Sequence, residues 1–159
     1  MILVTLGTHP QPMDRLLKEL DRLVETGVIR EEVIVQAAEF GYRPIRLTAI
    51  PTTTAEEFRR LVESADVVIS HAGPGTLAAV RQAGKAPVVV PREAVHHEHV
   101  DDHQVRYAQR LQLEPGYVVV ADLKELPGAI DRARRTTTAS TQPDRSRAIE
   151  AVERIIGRT

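Results

Sequence analysis

The sequence predicts a doubly wound α/β domain, a mostly parallel sheet with helices on both faces. Three observations carry that prediction. Short apolar runs recur along the chain, and the stretches between them place apolar residues every three or four positions. The runs are rich in Val and Ile and alternate only weakly, as strands covered on both faces do.

In chain order, the strands are expected at Ile2 to Leu6, Val33 to Gln36, Ile45 to Ile50, Val67 to Ser70, Pro87 to Val90 and Tyr117 to Ala121. Met13, Leu16, Leu17, Leu20, Leu23 and Val24 mark one face of a first helix. Thr54 with Glu57 reads as a capping box opening a second helix, with Phe58, Leu61 and Val62 inward and an end near Ala65. Pro74, favoured at a first helical position, opens a third that stops at Gly84. A fourth is expected from about His99 to Leu111, and a fifth after Asp122, with Pro127 in its first turn. A last helix has Pro143 near its start and Ile149, Val152, Ile155 and Ile156 at helical spacing. The run from Thr136 to Gln142 reads as a polar loop, and there is no internal repeat or domain boundary in 1–159.

Composition narrows the function. A chain of 159 residues with 42% apolar and 27% charged residues is that of a globular domain, not a disordered segment. Lys plus Arg (21) nearly balances Asp plus Glu (22), and aromatic residues make up 3%, so no nucleic-acid partner is expected. The absence of cysteine excludes disulfides, a thiolate nucleophile and Cys-ligated zinc. Met1 to Gly7 has no basic leader, and no later run reaches the length of a membrane span. A cytoplasmic protein is expected, with any membrane role borrowed from a partner.

In an open parallel sheet, ligands sit beyond the carboxyl ends of the strands. Three loops there stand out. Gly7-Thr8-His9-Pro10-Gln11-Pro12 follows the first strand, where Gly7 permits a tight turn. His71-Ala72-Gly73-Pro74-Gly75-Thr76 joins the fourth strand to the third helix, leaving free amides and a positive dipole end with little bulk, which suits a phosphate. Glu98-His99-Val100-Asp101-Asp102-His103-Gln104 is a dense polar patch at a helix start. Turns use glycine routinely, so neither glycine loop is diagnostic alone, and neither is a GxGxxG or Walker A sequence. His97-x-His99-x-Asp101 resembles the opening of the HxHxDH metallohydrolase motif, but Asp102 stands where the motif's third histidine, directly after the Asp, belongs, and no histidine follows His103. No metal is expected. Neither Ser64 nor Ser70 lies in a GxSxG elbow.

Together the three loops, in this order and spacing, resemble the C-terminal domain of family 28 glycosyltransferases, the donor-binding half of the Rossmann-like GT-B fold. The segments that carry the resemblance are Gly7-Thr8-His9-x-Gln11-Pro12-x-Asp14-Arg15-Leu16, His71 to Thr76, Val90-Pro91-Arg92 and Glu98 to Gln104. They are similar, more narrowly, to small bacterial subunits of exopolysaccharide and capsule synthesis and to the soluble subunit of the eukaryotic transferase acting on dolichol-linked sugar.

The resemblance implies a UDP-sugar as substrate, bound by a single domain spanning 1–159. It places uridine at Ile50, Pro51 and Thr52, and diphosphate at Gly7, Thr8, Gly73, Pro74, Gly75 and Thr76. The donor sugar falls to Glu98, Asp102, His103 and Gln104, and His9 is the in-domain base or phosphate contact. It implies no cofactor, since the helix start and amides carry the leaving diphosphate. It also implies a membrane-anchored, acceptor-binding partner subunit at the inner face of the cytoplasmic membrane, and leaves a homo-oligomer open. One departure is Ala79, which stands where relatives carry an acid for the ribose. The alternative is a non-catalytic module that binds a nucleotide sugar or a partner; a metal-dependent hydrolase ranks last.

Overall fold

The structure, a computed structural model, describes residues 1–136 and 152–157. In chain order its elements are β1 (Ile2–Thr5), α1 (Asp14–Glu25), β2 (Val33–Gln36), β3 (Thr48–Ile50), α2 (Ala55–Ser64), β4 (Val67–Ser70) and α3 (Pro74–Gln82). There follow β5 (Val88–Val89), a 3-10 turn (Ala94–His96), α4 (His103–Leu111), β6 (Val118–Val119), a second 3-10 turn (Leu123–Glu125) and α5 (Leu126–Thr136). Residues 152–156 are helical.

The six strands form one sheet in the order β3-β2-β1-β4-β5-β6, and every adjacent pair is parallel. The doubly wound sheet expected from the alternating runs is therefore present. Period-two alternation divides each inner strand between two cores. Ile2, Val4 and Leu6 point to the face covered by α1 and α5, packing with Leu16, Leu20, Ile130 and Ala133. Leu3, Ile34 and Val68 point to the opposite face, where Leu61 and Val62 of α2, Val80 of α3, and Val152 and Ile155 cover them. A third cluster joins Leu77 of α3 to Val89 and to Ala108 and Leu111 of α4.

The chain reverses its winding between β1 and β4, which pair with Thr5 opposite Ser70. Their following loops emerge side by side, and this is where such sheets bind ligands.

Local chemistry explains most boundaries. Thr54 and Glu57 form the expected capping box: Thr54 Oγ1 accepts from the Glu57 amide at 3.2 Å, and Glu57 Oε2 accepts from the Thr54 amide at 3.0 Å. Asp122 accepts from the Lys124 amide at 2.9 Å and starts the turn that leads into α5, with Pro127 in the first helical turn as expected.

The end of β1 and both ends of β5 and β6 fall one or two residues short of expectation, and two boundaries differ by three residues or more. The third strand begins at Thr48, not Ile45, because the Ile45 and Arg46 amides donate to the buried Asp21 carboxylate on α1, each at 2.8 Å, and are withdrawn from the sheet. The fourth helix begins at His103, not His99, because residues 98–102 spend their polar groups within a loop. The expected loop at 137–142, Pro143 and Ile149 lie outside the described residues. Among the described residues, no helix is long and apolar enough to cross a membrane.

Candidate functional site at the carboxyl edge of the sheet

The loops after β1, β4 and β5 meet at this edge. His71, the first residue after β4, organises two of them. Its Nδ1 lies 3.3 Å from the Thr5 carbonyl oxygen. A carbonyl can only accept, so Nδ1 carries the proton and Nε2 holds a lone pair. Burial pulls the His71 pKa down to about 4, against a smaller upward pull from that hydrogen bond, and the ring is neutral at physiological pH.

The ring occupies the space that side chains at two glycines would need. A Cβ on Gly7 would lie 2.7 Å from His71 Cε1, and one on Gly73 would collide with Nε2. Gly7 is further constrained by its φ of +71°. Both glycines therefore have a packing reason to be glycine. Gly75 has none: a Cβ there would meet nothing within 4 Å, and its φ is not positive.

The start of α3 is open. Gly73 is its N-cap and supplies no side-chain hydrogen bond, Pro74 has no amide proton, and no acidic residue lies in the first turn. The amides of Gly75 and Thr76 belong to that uncapped turn, where the helix dipole presents partial positive charge. Gly75 is exposed and Thr76 half-buried.

Arg92, two residues beyond the last β-bonded residue of β5, ties the loops together. It is 1% exposed. Nη2 donates to the Leu6 carbonyl at 2.8 Å, and Nη1 to the carbonyls of Glu98, at 3.1 Å, and Gln11. Its backbone amide donates to Gln104 Oε1 at 3.2 Å. The guanidinium thus bridges the loop after β1 and the loop after β5. Its Nη1 and Nη2 donate only to neutral carbonyls, so its charge reaches the crevice: burial first and Arg92 second lower the pKa of His9. Arg92 Nε and Gln11 Oε1 are buried without a hydrogen-bond partner.

The loop after β5 divides in function. Glu98, expected at the donor sugar, is 2% exposed and faces inward. Its Oε1 accepts from Arg15 Nε at 2.9 Å and its Oε2 from the Glu93 amide at 3.1 Å, so both oxygens hold the loop. Gln104 is likewise buried, with its oxygen on Arg92. Asp102 and His103 stay exposed at the start of α4, where Asp102 Oδ1 accepts from the Ala94 amide at 2.9 Å.

Three rings form a ladder across the crevice. His9 lies 4.6 Å from His99, centroid to centroid, and His99 lies 4.4 Å from His103. His9 Nδ1 accepts from the Gln11 amide at 3.4 Å, which leaves the proton of the neutral ring on Nε2. His97 takes no part in the ladder; it closes the 3-10 turn in a left-handed conformation, φ 57°.

The loop expected to meet uridine opens α2. Pro51 and Thr52 are exposed, while Ile50 is buried, its carbonyl accepting from the Ala37 amide at 3.3 Å. Ile50 therefore offers a ligand no side chain, and its carbonyl is engaged in the sheet. The α2 start lies on the same face of the sheet as α3, and Leu61, Val62 and Val80 share one core.

The sequence assigned no individual role to Arg92 or Arg15, and it weighed His99 and Asp101 only as metal ligands. A charged residue two positions beyond the expected strand Pro87 to Val90 is the signal that points to Arg92. Nothing local marks Arg15, whose partner Glu98 lies 83 residues away.

An open parallel sheet with an uncapped, glycine-lined helix start at its switch point defines a doubly wound α/β domain with a candidate anion site. The profile of the glycosyltransferase family 28 C-terminal domain matches residues 1–158, and the chain belongs to that family. It is 42% identical over 72 residues to the UDP-N-acetylglucosamine transferase subunit ALG13 of Cryptococcus neoformans, covering 44% of this chain and 34% of that protein. It is 36% identical over 81 residues to the ALG13 subunit of Eremothecium gossypii, covering 50% of this chain and 38% of that protein. The match thus spans little more than a third of these curated relatives. Among solved structures, Acinetobacter baumannii MurG superposes with a TM-score of 0.51 at 17% identity, over 97% of this chain and 49% of MurG. The glycosyltransferase VinC, solved with dTDP, gives 0.49 at 22% identity, over 97% of this chain and 36% of VinC. The fold is that of the Rossmann-like half of a GT-B glycosyltransferase.

Proposed function

We propose that this domain is the donor-binding subunit of a two-component glycosyltransferase that moves a sugar from a UDP-sugar to a polyprenyl-linked acceptor in polysaccharide synthesis. The observation that carries the reading is Gly75. It is a glycine with no packing or backbone reason to be one, in the uncapped first turn of α3, beside a crevice biased positive by Arg92. That is what close approach of a diphosphate requires. The names of the ALG13 relatives support both the UDP-sugar and the subunit arrangement.

In this account the diphosphate lies against Gly7, Thr8 and the amides of Gly75 and Thr76. As the glycosidic bond to the donor breaks, charge accumulates on the leaving UDP, and the oriented amides and helix dipole stabilise it without reorganising. The transfer therefore needs no metal. His9 donates from Nε2 toward the donor, and activation of the acceptor hydroxyl falls to the partner subunit, which is membrane-anchored and brings this domain to the cytoplasmic face. Asp102 and His103 meet the donor sugar's hydroxyls, while Glu98 and Gln104 hold them in place. Pro51, Thr52 and the Ile50 backbone border the uracil.

The test is calorimetric titration of the metal-free protein with UDP, dTDP, GDP and a set of UDP-sugars. Saturable binding that prefers UDP, and tightens with one sugar, is expected. A protein that binds none of them is a partner-binding module, and the proposal fails.

A further inference from the structure

The loop between β5 and α4 gathers three metal-ligating side chains that the donor site does not require as a set. His99, Asp101 and His103 each offer one ligand atom, and these atoms lie within 4.8 Å of one another. Asp101 Oδ1 lies 2.6 Å from His103 Nδ1 and 3.7 Å from His99 Nδ1. The loop brings them together by folding on itself: the His103 amide donates to Asp101 Oδ1 at 2.8 Å, and the Asp101 amide to His99 Nδ1 at 3.4 Å.

We propose that His99, Asp101 and His103 bind a divalent transition-metal cation of the zinc class. Two imidazoles and one carboxylate form a donor set that suits Zn²⁺, Co²⁺ or Ni²⁺ and not the all-oxygen preference of Mg²⁺ or Ca²⁺. Bonds of about 2.0–2.1 Å in a tetrahedral site place neighbouring ligand atoms about 3.3 Å apart. The separations of 2.6 and 3.7 Å bracket that value. Asp101 and His103 are about half exposed, 53% and 52%, so their side chains can adjust, while His99 is fixed by stacking on His9. On binding, the cation replaces the hydrogen bond between His103 and Asp101 and the long one from the Asp101 amide to His99 Nδ1, and His103 turns to the tautomer with its proton on Nε2. A fourth position stays open to water.

This set differs from the His97, His99, Asp101 spacing weighed in the sequence. His97 is held in the left-handed turn that closes the 3-10 segment. The cation fastens the loop to the start of α4 through His103 Nδ1, takes no part in the transfer chemistry proposed above, and leaves His103 Nε2 for the donor sugar.

The full chain, stripped with a chelator and dialysed, is titrated with Zn²⁺ against a chromophoric zinc competitor, and with Co²⁺ while its visible absorption is recorded. One equivalent should bind, with a Co²⁺ spectrum of tetrahedral intensity and a raised thermal midpoint. Asp101→Asn and His99→Ala should each weaken binding at least tenfold, and His97→Ala should leave it unchanged. Asp101 is exposed, so Asp101→Asn tests the site even if His99→Ala does not fold. No stoichiometric binding, or binding undiminished in Asp101→Asn, overturns the proposal. Neither result depends on whether UDP binds.

Discussion

Replacing Arg92 with methionine should cost this domain a large part of its stability. The guanidinium is buried and donates to the carbonyls of Leu6, Gln11 and Glu98. Methionine fills much of the same volume, so the main loss is of hydrogen bonds rather than packing. A buried acceptor left unpaired costs about 1–3 kcal/mol. Three of them, partly relieved by relaxation, give about 3–5 kcal/mol, the range for breaking a buried charged cluster from one side. Against a total of about 5–15 kcal/mol, that is severe, and at about 2–4 °C per kcal/mol the midpoint should fall by about 6–20 °C. Arg92→Lys should fall between, since an ammonium cannot span all three carbonyls. The chain has no tryptophan, so urea unfolding followed by far-UV circular dichroism is the assay. Donor binding should weaken too, because the loops after β1 and β5 lose their tie. A loss below about 1 kcal/mol with an unchanged denaturant slope would refute the reasoning.

Other outcomes follow from the same packing. His71 has a folded pKa of about 4, below its ordinary 6.5, so the unfolded chain takes up the proton first as pH falls. Its contribution is fully present above about pH 6.5 and is lost toward pH 4, up to about 3 kcal/mol. In urea titrations at pH 7 and pH 5, His71→Gln should show a smaller fall than the parent. Gly7→Ala should destabilise by about 2 kcal/mol or more, since it forces a side chain into φ +71° and against His71. Thr54→Ala removes the capping box of α2 and should cost about 1 kcal/mol by the same assay.

What could be read from the sequence was set by whether the cause was local. The Val/Ile runs at Val33 to Gln36 and Val67 to Ser70 became strands with those bounds, because a buried parallel strand needs only a short apolar run. The Thr54 capping box and Pro74 start held because their partners lie within three residues. Ile45 misled because Asp21, 24 residues away, takes its amide. The resemblance put Glu98 at the donor sugar, but Arg15, on another helix, draws its carboxylate inward. Gly7 and Gly73 both looked like ligand glycines, yet a histidine ring between them accounts for both. Gly75, expected at the diphosphate with them, has no such packing reason.

That glycine gives the most direct measurement. Calorimetric titration with UDP, without metal, should be run on the parent, Gly75→Ala and Gly75→Asp. A Cβ at Gly75 meets no protein atom, so both variants should fold. The aspartate, at a helix N-terminus, should even add about 0.3–1 kcal/mol of stability. The account predicts that UDP binds the parent, more weakly the alanine variant, and at least about 100-fold more weakly the aspartate variant, a loss of about 2.7 kcal/mol. UDP binding that is indifferent to the aspartate would contradict the placement of the diphosphate at the start of α3, and with it the central claim.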